Sequence, residues 1–239
     1  GYLEDSYIRK SEKLKIVFVP FAGIDKLSTT ALKEKNIMVA NSHGNAVNVS
    51  ERALTLTLAL MGRVVEYHND LKNGIWHGFA VREKANATWT SLFNKTVGIV
   101  GVGNIGKNSA KLFKSFNCKT IGYKRNTDKE IENIDELNSD LDYVIENSDV
   151  ILLALPLTKY TENIINKTHL QKMHDKFLIN IGRGHLVNEK DLYDALKNNT
   201  LKGFASDVWY IYPDKSNKIK FPSKYPLHIF KNVLLSPHV

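Results

Sequence analysis

Residues 96–106 read Thr96-Val97-Gly98-Ile99-Val100-Gly101-Val102-Gly103-Asn104-Ile105-Gly106. An apolar, β-branched run passes straight into a G-x-G-x-x-G turn, and residues 104–116 then carry a helical pattern. The three glycines answer separate demands. Gly101 permits a tight turn. Gly103 lets a pyrophosphate approach the backbone without a side chain in the way. Gly106 lets the helix pack closely on the strand. The start of the helix offers unpaired N–H groups and a partial positive charge to phosphates. The stretch predicts a nicotinamide dinucleotide site touching Gly101, Gly103, Asn104, Ile105 and Gly106. The competing reading is a glycine-rich loop with no ligand. The strand before the turn and the helix and strand after it weigh against that.

Downstream, apolar runs at Lys119–Tyr123, Val150–Leu153, Phe177–Ile181, Gly203–Ser206 and Asn232–Leu235 read as further strands. Helical patterns lie between several of them, around Lys167–Met173 and Glu189–Asn198. Continuously apolar strands alternating with helices predict a parallel sheet covered on both faces, a doubly wound α/β domain. We place this dinucleotide-binding (Rossmann) domain at residues 48–239 and part of a smaller domain at residues 1–47. The smaller part holds two short strands, Lys15–Val19 and Ile37–Ala40, and is too short to bury a sizeable core alone. From Val49 to about Leu71, apolar Leu54, Leu58, Met61 and Val65 recur at helical spacing. Ser50 is the expected N-cap and Asn73-Gly74 the expected stop.

Composition narrows the partners. Among 239 residues, 33 Lys and Arg against 25 Asp and Glu give a net charge of +8. The cations are scattered and do not interleave with aromatics as a nucleic-acid platform would. No run approaches the roughly 18 apolar residues a membrane helix needs. Cys118 is the only cysteine, which excludes an intrachain disulfide and argues against a cysteine-built metal site. No metal site, no nucleic acid, no membrane and a cytoplasmic setting are the expectations.

The end of the second strand bears on which dinucleotide binds. An acid there would hydrogen-bond the adenosine ribose and repel an added phosphate. The chain instead reads Gly122-Tyr123-Lys124-Arg125-Asn126, and the nearest acid, Asp128, lies further along. Lys124, Arg125 and Asn126 suit a phosphate. NADP(H) is therefore the preferred cofactor, with NAD(H) possible if the segment is only a solvated basic loop.

Further segments then carry a resemblance. In order they are Leu155-Pro156-Leu157-Thr158, Asn180-Ile181-Gly182-Arg183-Gly184, Ala205-Ser206-Asp207-Val208-Trp209 and Ser236-Pro237-His238-Val239. With the glycine turn they resemble the D-isomer-specific 2-hydroxyacid dehydrogenases, glyoxylate and hydroxypyruvate reductases included. Phe21-Ala22-Gly23-Ile24-Asp25 resembles that family's substrate-domain loop, and residues 45–51 resemble the start of its interdomain helix. The resemblance implies a flavodoxin-like substrate domain, of which residues 1–47 would be a part. It also implies substrate contacts at Ala22, Gly23 and Asn45, and cofactor contacts at Leu155, Pro156, Thr161, Ile181, Gly182 and Asp207. The segment from Ser50 through Trp76-His77-Gly78 resembles the family's dimer-forming region, so a homodimer is expected.

The chemistry agrees with the resemblance. Reducing a 2-oxo acid needs a cation to hold the carboxylate and polarise the carbonyl, and an acid to protonate the alkoxide. Arg183 suits the first task because its planar fork grips two oxygens. His238 suits the second, since an imidazole with a pKa of about 6.5 exchanges protons at neutral pH. One departure stands out. The family pairs its histidine with a glutamate five residues beyond the aspartate, and here that position is Tyr212. A carboxylate would raise the histidine pKa, whereas a neutral tyrosine can only orient the ring. Reduction is then expected to be optimal at lower pH. Family members also extend further at both ends, so the sequence reads as shorter than a complete member.

The resulting expectation is hydride transfer between NADP(H), or NAD(H), and a small 2-oxo/2-hydroxy acid such as glyoxylate or hydroxypyruvate. The alternatives are a formate- or phosphite-type dehydrogenase on the same scaffold, and a non-catalytic dinucleotide-sensing protein.

Overall fold

The computed structural model describes residues 3–24, 27–84 and 88–238. Asp25, in the Phe21–Asp25 loop, and Val239, which ends the Ser236–Val239 motif, lie outside the described residues. The chain divides into two compact units, Gly1–Val47 and Asn48–Val239.

The first unit runs α1 (Asp5–Lys10), β1 (Ile16–Val19), α2 (Thr29–Glu34) and β2 (Met38–Asn41). Strands β1 and β2 pair in parallel, from Ile16 opposite Met38 to Val19 opposite Asn41. Its small core is Ile8, Ala31, Leu32 and Ile37. The Ser28 hydroxyl accepts the Ala31 N–H and caps α2.

In the second unit, the predicted strands at residues 96–100, 119–123, 150–153 and 203–206 form at those bounds, as β3, β4, β6 and β8. Strands β7 (Phe177–Asn180) and β9 (Val233–Leu235) each stop or start one residue inside the expected range. A seventh strand, β5 (Glu136–Asn138), was not expected. Its three residues are half-buried and two are polar, so no apolar run marks it. The sheet order is β5-β4-β3-β6-β7-β8-β9, with every pairing parallel. The strand order turns back between β3 and β6, which opens a crevice at their carboxyl ends.

Helix α5 (Asn104–Lys114) follows β3 directly. It buries Gly106, Ser109, Ala110 and Phe113, spaced 3, 1 and 3 residues apart on one stripe. Ala110 and Phe113 join Val97, Ile99, Val150 and Leu152 in a core on one face of the sheet. A second core, with Ile151, Leu153, Leu178 and Phe204, fills the other face under α6 (Leu141–Glu146), α7 (Lys167–Lys172) and α8 (Glu189–Lys197). Each fully buried Phe, Ile or Leu contributes roughly 1.5–3 kcal/mol.

The long helix expected from Val49 to Leu71 is two helices, α3 (Ala46–Met61) and α4 (Val64–Lys72). They meet at Gly62-Arg63, where Arg63 has a left-handed backbone, φ 53°. The Arg63 guanidinium ties this corner by donating to Glu66 at 2.8 and 2.7 Å and to the Thr88 carbonyl at 3.0 Å. Ser50 is not an N-cap. It sits buried inside α3, and its hydroxyl donates to the Ile105 carbonyl at 3.1 Å. The helix starts earlier because the Gly44-Asn45 turn already bends the chain. Asn73-Gly74 does end α4, with Gly74 at φ 76°.

Candidate active site

Because the sheet is wholly parallel, all carboxyl ends lie along one edge. Along that edge come the glycine turn after β3, Lys124 after β4, Leu155 after β6, Arg183 after β7, Asp207 after β8 and Ser236–His238 after β9. Residues spread over 138 positions of sequence therefore line one rim.

At the glycine turn, Gly101 has φ 106°, a conformation that L side chains rarely adopt. A Cβ on Gly106 would lie 2.2 Å from the Gly101 carbonyl oxygen, so helix and strand approach as closely as backbones allow. Gly103 differs. A Cβ there meets nothing within 4 Å, and the residue is exposed. Protein packing does not require this glycine, whereas an approaching pyrophosphate would. No side chain caps α5 at Gly103, so the first-turn N–H groups of Asn104, Ile105 and Gly106 face the crevice as anion donors. The turn fits a dinucleotide phosphate on both counts.

Beyond β4, Lys124 is half-buried, and Arg125 and Asn126 are exposed. The Lys124 backbone is tied by donation to the Asn138 carbonyl at 3.0 Å. Neither Lys124 nor Arg125 joins an ion pair among the described residues. The Asn126 side-chain oxygen accepts the Asp128 N–H at 3.0 Å, which shapes the loop. Thr161 is also committed to its own loop. Its hydroxyl donates to the Pro156 carbonyl at 2.7 Å and accepts the Thr158 N–H at 2.8 Å.

The loop carrying Arg183 is held by a buried asparagine. Asn180, 1 % exposed, accepts the Gly182 N–H at 3.1 Å and donates to the Arg183 carbonyl at 2.9 Å. A polar residue closing an apolar strand was the available signal. Ile181 and Gly182 are buried, and Arg183 is half-buried in extended backbone, its guanidinium donating to the Gly182 carbonyl at 2.7 Å. Gly184 packs against the Trp209 backbone, where a Cβ would fall 2.4 Å from the carbonyl carbon. This contact couples the arginine loop to the segment after β8.

That segment in turn holds His238. Asp207 is 6 % exposed, and its Oδ1 accepts both the Ser236 hydroxyl at 2.5 Å and the His238 backbone N–H at 3.1 Å. The Trp209 indole donates to the Ser236 carbonyl at 2.7 Å. His238 is exposed, with a left-handed backbone at φ 64° that these bonds sustain. Its Nδ1 lies 2.8 Å from the Tyr212 hydroxyl, which also accepts the Trp209 N–H at 3.0 Å. Tyr212 thus stands against the imidazole at the position where the family's glutamate was expected.

In the first unit, the Asn41 side chain donates to the Ala22 carbonyl at 2.8 Å and fixes the loop bearing Ala22 and Gly23. Asn45 is exposed in the turn before α3. A cavity of about 560 Å³ lined by Met61, Arg63, Phe177 and Lys202 opens at the amino ends of β7 and β8, the edge away from this site. Among the described residues no group of three or more His, Cys, Asp or Glu could hold a metal ion, and no helix is long and apolar enough to cross a membrane. Cys118 is buried, and that burial pushes its thiol up, so it stays protonated and inert.

A doubly wound sheet with a phosphate-binding glycine turn at its switch point defines the second unit as a nicotinamide-dinucleotide-binding domain. Residues 54–239 match the family model described as D-isomer specific 2-hydroxyacid dehydrogenase, NAD binding domain, and the chain belongs to that family. It is 32 % identical over 235 residues to a D-3-phosphoglycerate dehydrogenase of Methanocaldococcus jannaschii, covering 97 % of this chain and 42 % of the relative. It is 32 % identical to a formate dehydrogenase of Neurospora crassa, covering 97 % of this chain and 61 % of the relative. A hydroxypyruvate reductase of Thermotoga maritima is also 32 % identical, with coverage of 97 % and 72 %. The chain thus spans 42 % to 72 % of the length of these curated relatives. A solved protein from Pyrococcus horikoshii OT3 superposes with a TM-score of 0.85 at 30 % identity, covering 99 % of this chain and 70 % of that one.

Proposed function

We propose that this chain belongs to a reductase of small 2-oxo acids, such as glyoxylate or hydroxypyruvate, that prefers NADP(H). The carrying observation is the common rim that presents the glycine turn, Arg183 and His238 at the carboxyl ends of β3, β7 and β9.

The dinucleotide, when bound, supplies the hydride equivalent that reduces the carbonyl. The residues of the chain do the rest. The Gly101–Gly106 turn receives the pyrophosphate, and Leu155, Pro156, Thr161, Ile181, Gly182 and Asp207 flank the remainder of the cofactor. Lys124, Arg125 and Asn126 receive the adenosine phosphate. Arg183 holds the substrate carboxylate and polarises the carbonyl. His238 gives a proton to the forming alkoxide in reduction and takes it back in oxidation. Ala22, Gly23 and Asn45 are the proposed substrate contacts in the first unit.

The test is a panel of glyoxylate, hydroxypyruvate, formate and phosphite, each with both forms of the cofactor, run on the full-length protein. NADPH oxidation by a 2-oxo acid is expected. Turnover of formate or phosphite alone would support the second kind of dehydrogenase, and the formate dehydrogenase relative keeps that reading in the panel. Dinucleotide binding with no turnover would mean a sensor.

A second copy of the chain is the proposed partner, at the surface of α4 and the segment after it. Leu71, Ile75, Trp76 and Trp89 are each at least half exposed there, and Phe79 is 99 % exposed. These exposed apolar side chains support an association surface there. Sedimentation should give a dimer, and F79E should give a monomer. A cytoplasmic setting fits the lone buried thiol.

A further inference from the structure

We propose that Tyr212 sets the tautomer of His238, placing the single proton of the neutral imidazole on Nε2. The inference rests on the proposed role of His238 in proton transfer. It starts from two contacts on one oxygen. The Tyr212 hydroxyl accepts the Trp209 N–H at 3.0 Å and lies 2.8 Å from His238 Nδ1.

The contact with Nδ1 can run in either direction. The hydroxyl can donate to a bare Nδ1, or Nδ1–H can donate to the hydroxyl. A phenol is a far better donor than a neutral imidazole N–H, since its proton is held less tightly, with a pKa of about 10. A bare imidazole nitrogen is the better acceptor. The Trp209 N–H polarises the hydroxyl further and strengthens its donation. The first direction therefore prevails, and the ring proton resides on Nε2. Asp207, the nearby carboxylate, spends its Oδ1 on the Ser236 hydroxyl and the His238 backbone N–H.

A glutamate at position 212 would impose the opposite state. A carboxylate only accepts, so it requires Nδ1–H and leaves Nε2 bare. Tyrosine also serves the imidazolium, because its O–H can rotate away and its oxygen can then accept Nδ1–H. After the imidazolium gives its Nε2 proton to the alkoxide, the remaining ring proton sits on Nδ1 against the Tyr212 oxygen. Return to the resting tautomer takes one proton from solvent at Nε2 and releases the Nδ1 proton to solvent, and the Tyr212 hydroxyl then donates to the bare Nδ1. Tyr212 is thus a positioning residue that fixes the resting tautomer and the orientation of the ring and adds no charge.

The test uses the full chain labelled with ¹⁵N at histidine, with the His238 signals assigned by H238Q. At a pH above the imidazole titration, NMR should show Nε2–H, with the Nδ1 resonance moved upfield by an accepted hydrogen bond. In Y212F, which keeps the ring, that resonance should move back toward the free value. In Y212E the proton should pass to Nδ1. Native circular dichroism in both variants would exclude misfolding as the cause. A wild-type Nδ1–H tautomer, or an Nδ1 shift unchanged in Y212F, would overturn the proposal. In the reductase assay, Y212F should lower kcat by about tenfold with KM held, a fraction of the roughly 10²–10⁴ that general acid catalysis supplies. If the wild type reduces no 2-oxo acid, the functional reading fails, while the NMR result still decides the tautomer.

Discussion

The site of a Cβ on Gly106 lies 2.2 Å from the carbonyl oxygen of Gly101, while the corresponding site on Gly103 is open. Two glycines of one motif thus serve different masters, the fold and the ligand. Gly106→Ala should destabilise the protein by about 1–3 kcal/mol through overpacking. Gly103→Ala should leave the melting temperature nearly unchanged, as exposed substitutions do within about 0.5 kcal/mol. It should nonetheless weaken dinucleotide binding in a calorimetric titration. Unchanged affinity in Gly103→Ala would remove the turn from the cofactor site.

The proposed preference for NADP(H) rests on Lys124 and Arg125. Each charge-assisted bond to a phosphate is worth roughly 1.5–3 kcal/mol, or about one to two decades. Lys124→Asp should cut NADPH affinity by at least tenfold and leave NADH affinity equal or better. The ratio of the two dissociation constants, measured by fluorescence titration, decides it. An equal loss for both cofactors would show that the loop does not read the phosphate.

Asp207 holds the backbone at His238 in a left-handed turn. Asp207→Ala would strand the donors of Ser236 and His238, at a cost of about 1–3 kcal/mol. Thermal unfolding should show that loss. Reductase turnover should fall further than stability explains, because His238 would leave its place above the rim. Full turnover in Asp207→Ala would refute the anchoring role.

Acid should loosen the β5–β4 edge of the sheet. Burial raises the carboxyl pKa of Asp135, but the bonds from Lys114 and from the Thr120 N–H and hydroxyl outweigh it and hold the pKa below the ordinary range. A depressed folded value contributes stability above the unfolded pKa of about 3.9 and loses it as pH falls through the folded value. Asp135→Asn should therefore lower the melting temperature at pH 7, and the gap to wild type should close below about pH 4. A gap that stayed constant into acid would contradict this.

Much of the fold was legible because it rests on local rules. Strands β3, β4, β6 and β8 appear at their expected bounds, since buried parallel strands are unbroken apolar runs. Strand β5 was not legible, because Glu136-Leu137-Asn138 earns its ladder only from β4 beside it. The break between α3 and α4 was hidden for a similar reason. The apolar spacing continues across Gly62-Arg63, and the bonds of Arg63 to Glu66, Tyr67 and Thr88 hold the turn of the chain there.

By itself the sequence determined the alternation of strand and helix, the glycine turn, and the identities of Arg183, Tyr212 and His238. Those follow from side-chain type and spacing along the chain. Only the tertiary structure decided which groups meet. It put Asn180 across the arginine loop, Ser50 on the carbonyl of Ile105, and Trp209 and Tyr212 in a relay of hydrogen bonds to His238. Such contacts join residues 26 to 55 positions apart in the cases of Tyr212 with His238 and Ser50 with Ile105. Sequence spacing carries no record of them, because the packing of one parallel sheet edge, and not the local backbone, brings those residues within hydrogen-bond reach.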